Sequence, residues 1–116
     1  MKTILAFVTL HTSNYPATRA YITDILGFES TEERPGANAF VSASGAGLAL
    51  RENANVQPPL GAGVTVYFIV PNLDAYHTQL VERGAQIAEP PHDMPFGRSF
   101  SVNTPDGHLL GFYEAS

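Results

Sequence analysis

FVTL at residues 7–10 leads into a helical pattern that ends at Gly27, and TVYF at residues 65–68 leads into a second helical pattern that ends at Gly84. The two copies are 58 residues apart at the strand and 57 at the glycine. A solenoid needs at least three repeats. Two copies of a strand–helix–strands unit instead predict a pseudo-twofold domain, and we expect its function in the cleft between the halves.

The composition is that of one ordinary globular domain. The chain has 116 residues, of which 44% are apolar and 15% charged, so it can form a core and is unlike a disordered chain. It has no cysteine, which excludes disulfides, thiolate nucleophiles and cysteine zinc sites. No segment approaches the length of a membrane span, and the apolar start lacks a signal-peptide cleavage site. We therefore expect a cytoplasmic protein that does not contact a membrane.

The charge pattern bears on the partners. The formal net charge is −5, and the six Lys and Arg residues are scattered along the chain. Because no basic stripe is present to neutralise phosphates, we do not expect nucleic-acid binding. An acidic chain tends to attract cations, which would suit a cationic ligand.

The first half has the pattern strand, helix and three strands. Residues 3–11 are β-branched and apolar, Asn14 is placed to cap the helix, and Gly27 is placed to end it. The predicted buried face of the helix has helical spacing and consists of Thr18, Tyr21, Ile22, Ile25 and Leu26. Strands follow at residues 28–33, 39–43 and 47–52, separated by the turn signals PG at 35–36 and SG at 44–45.

The second half repeats this order after a Pro- and Gly-rich linker at about residues 53–63. A strand is predicted at 64–70, and a helix capped by Asn72 buries Leu73, Tyr76, His77 and Leu80. Strands follow at 86–89, 98–103 and 109–114, with a loop bracketed by prolines 90–91 and 95. The predicted fold class is α+β. One domain, residues 1–116, holds two βαβββ modules, at about 1–53 and 64–116, that form a curved mixed-sheet cleft with helices on the outer face.

Alternation along each strand separates a helix-covered face from a helix-free face. Val8, Leu10, Leu48 and Leu50 should lie under the first helix, with Val66, Phe68, Leu110 and Phe112 under the second. The helix-free residues should line the cleft, and they are Phe7, Thr9, His11, Ala49, Arg51, Thr65, Tyr67, Ile69, Leu109, Gly111 and Tyr113.

Three motifs carry a family resemblance. AYITDILGF at residues 20–28 is similar to "FYxxxLGF", PFGRSF at 95–100 to "PWGRxF", and TPDGH at 104–108 to "DPDGN". In this order, and with the repeat, they resemble the vicinal-oxygen-chelate superfamily across nearly the whole chain. That superfamily contains glyoxalase I, extradiol dioxygenases, fosfomycin resistance proteins and bleomycin resistance proteins.

The resemblance implies four positions for metal ligands. Metal-using members carry His, Gln or Glu on the first strand of each half and Glu on the last. Those positions correspond here to Phe7, Ala49, Thr65 and Gly111, none of which is a plausible ligand. Shifting the alignment by one residue brings in Val8, Leu48 or Leu50, Val66 or Thr65, and Leu110, which are no better as ligands. We therefore expect no metal and no cofactor.

The metal-free members that the pattern resembles most are bleomycin-resistance-type proteins, which sequester a drug in a groove at a dimer interface without chemistry. The resemblance implies a homodimer that binds an aromatic or cationic antibiotic-like small molecule. Phe96 stands where that branch has Trp, so the identity of the ligand is not implied.

The expected ligand-binding residues combine aromatic and polar side chains. Aromatic side chains suit flat or apolar ligands through stacking and area burial, while Arg and Thr would orient a ligand. The set is Phe7, Thr9, Arg51, Thr65, Tyr67, Phe96, Arg98 and Tyr113. Each has a structural alternative: the aromatics could fill a core or a dimer interface, Arg51 could be solvated, and Arg98 could pair with Asp93 or Glu89.

Two other functions stay open. A lyase, isomerase or dioxygenase of the same superfamily would need a general acid or base, and His11 is the candidate on the helix-free face. His77, His92 and His108 do not share the spacing of a metal pair with it or with one another, so surface or capping roles are expected. An interaction module without a small ligand would instead have a filled cleft.

Overall fold

The computed structural model describes residues 2–41 and 47–115. The chain divides into two compact units, Met1–Gln57 and Pro58–Ser116. The division falls inside the predicted linker. The predicted SG turn at residues 44–45 and the end of the strand before it lie outside the described residues.

The first unit is a four-stranded mixed sheet with a helix. The strand order is β1-β4-β3-β2. β1 runs parallel to β4, and the other neighbouring strands are antiparallel. The elements are β1 (Phe7–Thr12), α1 (Tyr15–Ala20), a π-helical continuation (Tyr21–Ile25), β2 (Ser30–Arg34), β3 (Ala37–Val41) and β4 (Gly47–Glu52).

The second unit repeats this topology. Its strand order is β5-β8-β7-β6, again with one parallel pair at β5 and β8. Phe7 pairs with Gly47 in the first sheet and Thr65 with Leu109 in the second, so the first residues of the two parallel strands pair in both units. The elements are β5 (Thr65–Ile69), α2 (Leu73–Glu82), β6 (Gln86–Met94), β7 (Gly97–Asn103) and β8 (Leu109–Ala115). The α+β class and the βαβββ order are confirmed.

Both helices begin and end as their sequences predict. The side-chain oxygen of Asn14 accepts a hydrogen bond from the backbone N–H of Ala17 at 3.3 Å. Asn72 does the same with Ala75 at 3.2 Å. Gly27 and Gly84 follow the helices with φ of 82° and 87°, a conformation that glycine adopts without the cost a Cβ would add.

Each unit has its own core between helix and sheet. In the first, Ile22 and Leu26 from the helical segment and Leu10, Leu48 and Leu50 from the strands are all 4% exposed or less. Burying one such side chain stabilises the fold by about 1.5–3 kcal/mol before conformational entropy is counted.

The second core contains more aromatic residues. Tyr76 of α2 lies edge-on to Phe112, with ring centroids 5.0 Å apart, and Phe68 stacks on Phe112 at 5.6 Å. Leu73 and Leu80 close this core from the helix and are fully buried. The predicted division of strand residues into two faces therefore holds in both units.

Several predicted strand boundaries were wrong. β1 starts at Phe7 rather than at residue 3, and β2 starts at Ser30 rather than at residue 28. β6 continues to Met94, so residues 90–91 lie within a strand and not in a loop. β6 is an edge strand, and its register shifts between Glu89 and His92. An edge and an irregular register are where a sheet tolerates prolines, which lack the N–H group.

Among the described residues, no helix is long and apolar enough to cross a membrane.

Candidate functional site

A groove of about 420 Å³ lies on the first sheet. We call it the unit-1 groove. Thr9, Ala49, Ala39 and Thr31 form one row of neighbours across four strands on its helix-free face. Phe7 and Gly47 form the row at one end, and His11, Arg51, Ala37 and Arg34 form the row at the other end.

Small side chains make this surface hollow. Ala39, Ala49 and Gly47 present at most one methyl group where larger residues would fill the space. β4 carries Leu48 and Leu50 on the opposite face, where both are buried. The sheet is thus packed on one side and open on the other.

One end of the unit-1 groove is cationic. Arg34 and Arg51 both line it and are both exposed. In the part of the chain that the structure describes, neither guanidinium has an ion-pair or hydrogen-bond partner. His11 neighbours Arg51 across the strands, and its Nδ1 lies 3.0 Å from the side-chain nitrogen of Asn53.

Three aromatic rings meet in the second unit. Tyr67, Phe96 and Tyr113 contact one another edge to face, with ring centroids 5.1 Å (Tyr67–Phe96), 6.2 Å (Tyr67–Tyr113) and 4.9 Å (Phe96–Tyr113) apart. We call this group the aromatic cluster. Tyr67 and Tyr113 come from the helix-free positions of β5 and β8, and Phe96 from the turn before β7. Edge-to-face pairs of this kind contribute about 0.5–1.5 kcal/mol each beyond area burial.

A glycine makes room for the cluster. Gly111 is the strand neighbour of Tyr67, and a Cβ built on Gly111 would lie 2.5 Å from Tyr67 Cδ1. The ring therefore lies directly over the glycine backbone. Thr65, half-buried, is one row away on the same face.

Arg98 is not part of this face. Its Nε donates to both carboxylate oxygens of Asp74 at 3.3 Å, and a terminal nitrogen donates to the same group at 3.2 Å. A second carboxylate, that of Asp93, lies 3.9 Å away. Arg98 alternates with Ser99 and so shares the side of Phe100, which faces α2. Arg98 therefore pairs with carboxylates, which was the structural alternative to ligand binding. Its principal partner is Asp74 rather than Asp93 or Glu89.

The four family metal positions do not fit a metal. Phe7 and Ala49 carry no donor atom, and Thr65 offers only a hydroxyl. Gly111 has no side chain and lies under the Tyr67 ring. Within residues 2–41 and 47–115, no three His, Cys, Asp or Glu side chains lie close enough to hold an ion together. Divalent metals need several such donors at one point.

The other histidines have local contacts. The ring of His77 lies edge-on to Phe100 with centroids 5.1 Å apart. His92 Nδ1 is 2.8 Å from the carbonyl oxygen of Pro90. The backbone N–H of His108 donates to Thr104 Oγ1 at 3.0 Å within a tight turn.

The sequence prediction missed Arg34. Predicted to follow the end of its strand, it belongs to β2 and pairs with Ala37 of β3. The register shifts between Thr31 and Arg34, so three steps along β2 match two along β3. This β-bulge puts Arg34 on the same face as Thr31, against simple alternation. In the sequence, only the turn signal PG at residues 35–36 indicated a hairpin between β2 and β3.

The family and the fold have clear matches. A family model for the Glyoxalase/Bleomycin resistance protein/Dioxygenase superfamily matches residues 4–112. A search of curated protein sequences found no match.

Three solved structures illustrate the fold. TnmS3, an antibiotic-binding protein from a Streptomyces species, superposes with a TM-score of 0.82 at 20% identity, covering 99% of this chain and 98% of the other. A glyoxalase/bleomycin resistance protein/dioxygenase from Nocardioides gives 0.80 at 22% identity, covering 99% and 85%. The fosfomycin resistance protein FosX from Listeria monocytogenes gives 0.78 at 19% identity, covering 100% and 96%.

Proposed function

This chain belongs to the Glyoxalase/Bleomycin resistance protein/Dioxygenase superfamily, and from that premise we propose that it binds and sequesters an aromatic, antibiotic-like small molecule without metal and without catalysis. The observation that carries the proposal is the unit-1 groove. Its volume of about 420 Å³ falls within the range of small-molecule sites, roughly 300–1,000 Å³.

The lining of the groove suits a flat ligand. Ala39, Ala49 and Gly47 offer an apolar floor, and Phe7 offers a ring at one end. Thr9 and Arg51 add polar groups that would fix the orientation of a ligand. Apolar walls with a few polar groups are typical of ligand sites.

The aromatic cluster supports the same ligand class. Tyr67 and Phe96 are 42% and 39% exposed, so their rings keep accessible faces. Exposed rings that are fixed by mutual contact can stack on a planar ligand at a small entropic cost. The antibiotic-binding description of TnmS3 provides a precedent for such a ligand on this fold.

The proposal of a metal-free site follows from the residues at the family's ligand positions. Glyoxalase and dioxygenase chemistry needs a metal to polarise adjacent oxygens, and Phe7, Ala49 and Gly111 supply no ligand atom from their side chains. Binding alone requires none.

We also propose a homodimer. β1 and β5 are edge strands of their sheets, and edge strands with apolar side chains favour pairing with other chains. Large apolar residues near them are exposed, namely Ile4, Leu5, Phe7, Val64 and Ile69. Exposed apolar surface of this kind marks interaction sites.

The first test is the metal content of the untagged protein. Elemental analysis should find no stoichiometric Zn, Ni, Mn or Fe, and adding these ions should not raise the melting temperature. One bound metal per chain would overturn the metal-free proposal and favour the enzyme alternative. The evidence for that alternative would be catalytic turnover that is lost on His11→Ala.

The second test fills the groove. Ala49→Leu adds three carbon atoms to the floor and should weaken binding of aromatic antibiotics by about tenfold or more, measured by isothermal titration calorimetry. Ala75→Leu, at an exposed position of α2, adds the same group elsewhere and should bind as the unchanged protein does. Equal affinities of the two variants would place the ligand outside this groove.

A further inference from the structure

The two arginines of the unit-1 groove, Arg34 and Arg51, lie near each other in the sheet. Arg51 of β4 pairs with Ala37 of β3, which pairs with Arg34 of β2. Strands are about 4.8 Å apart, so the two arginine backbones are separated by about 10 Å. Alanine between them leaves the space open. Two long side chains at this separation can converge on one group above Ala37.

The carboxylates that neighbour these arginines in sequence point elsewhere. Glu33 accepts hydrogen bonds from Arg19 of α1. Glu52 alternates with Arg51, and its side chain lies against Gly36, 3.4 Å from the position of an added Cβ. The strands therefore separate the charges, with positive groups toward the groove and these two negative groups away from it.

The bulge in β2 produces this separation. Without the extra residue between Thr31 and Arg34, the side chain of Arg34 would alternate to the helix-covered face. Bulges are common next to binding sites because they re-aim a side chain. Here the bulge adds a second guanidinium to a groove that already holds Arg51.

We infer that the ligand of this groove carries an anionic group, a carboxylate or a phosphate, which Arg34 and Arg51 hold while its aromatic body lies on the alanine floor. The inference rests on the proposed function and specifies its ligand class. Guanidinium groups bind both anions through paired N–H donors. The positive charge of the groove favours an anion, whereas the net charge of −5 of the whole chain favours a cation.

The test compares ligands that differ only in charge. 2-Naphthoate, 2-naphthyl phosphate and neutral 2-naphthamide share one ring system. We expect at least one anion to bind about tenfold or more tightly than the amide, and the preference to shrink at high ionic strength. Comparing the two anions identifies which source of negative charge the site accepts.

Three variants assign the effect to residues. Arg34→Gln and Arg51→Gln should each remove most of the preference for the anion over the amide. Arg83→Gln is the matched control, because it removes one positive charge at an exposed position after α2. It should keep the preference for the anion. Circular dichroism and thermal unfolding check that each variant folds.

Each outcome has a distinct meaning. Equal binding of anions and amide, or a preference that survives both groove variants, overturns the anionic ligand class and leaves the proposed function standing. Failure of all three compounds and of the aromatic antibiotics to bind overturns both.

Discussion

Gly111 lies where the ring of Tyr67 crosses β8, and this contact sets the position of the aromatic cluster. A methyl group at this residue would overlap the ring. We therefore expect Gly111→Ala to destabilise the protein by about 1–3 kcal/mol, as overpacking commonly does. Urea denaturation measures this loss.

The cause can be isolated by a double-mutant cycle. In a Tyr67→Ala background the ring is absent, so Gly111→Ala should cost much less than it does alone. Additive effects of the two substitutions would show that the methyl group disturbs something other than Tyr67.

Thr12 and Thr18 form a hydroxyl pair inside the first unit. Their Oγ1 atoms are 2.7 Å apart, and both residues are fully buried. Thr12 Oγ1 also accepts the N–H of Asn14 at 3.1 Å. Thr18→Val keeps the shape but removes the hydrogen bond between two buried hydroxyl groups, which should cost about 1–3 kcal/mol of unfolding free energy.

An exposed threonine provides the comparison. Thr78 Oγ1 donates to the carbonyl oxygen of Asp74 at 3.0 Å on the surface of α2. Thr78→Val should change the unfolding free energy by about 0.5 kcal/mol or less. A similar cost at both sites would contradict the burial argument.

At the scale of elements, an ion pair joins α1 to β2 and makes stability depend on pH. The hydrogen bond from Arg19 lowers the pKa of the Glu33 carboxyl below its ordinary 4.5. A lowered folded-state pKa means that the stabilisation is complete above pH 4.5 and is lost as the pH falls through the folded-state pKa.

Comparison with Glu33→Gln isolates this effect. The difference in unfolding free energy between the two proteins should be constant from pH 7 to about pH 5.5 and should shrink below pH 4.5. Urea denaturation at each pH measures it. A difference that stays constant down to pH 3 would show that the pair does not contribute to folding.

A second ion pair joins the first turn of α2 to β7. Arg98 and Asp74 are both well exposed, so Arg98→Ala should cost less than about 1 kcal/mol, and less still in high salt. Because Arg98 faces away from the aromatic cluster, the same variant should bind ligand as the unchanged protein does. A several-fold loss of affinity in titration calorimetry would show that Arg98 takes part in ligand binding.

At the scale of the whole molecule, the exposed apolar residues favour self-association. Ile69 of β5 is 64% exposed, and Val81 of α2 is 51% exposed. If the edge strands form the dimer, Ile69→Lys should shift the protein toward monomer while Val81→Lys should not. Sedimentation velocity at micromolar concentration distinguishes the two. A monomeric unchanged protein, or equal effects of both variants, would contradict the edge-strand dimer.

Local patterns alone determined much of this protein. The asparagine caps, the glycine stops and the two faces of the strands follow from patterns within a few residues, and the structure confirms them. The absence of metal donors at Phe7, Ala49, Thr65 and Gly111 is also visible in the sequence. The meeting of helix-free aromatic residues followed from alternation, although their ring contacts did not.

Contacts between distant residues decided the rest. Arg98 pairs with Asp74, 24 residues earlier, because α2 packs beside β7, and nothing near Arg98 in the sequence indicates that helix. Arg34 enters the unit-1 groove because pairing with β3 inserts a bulge into β2. A bulge is a property of two strands and not of one, so only the tertiary structure could place this second cation beside Arg51.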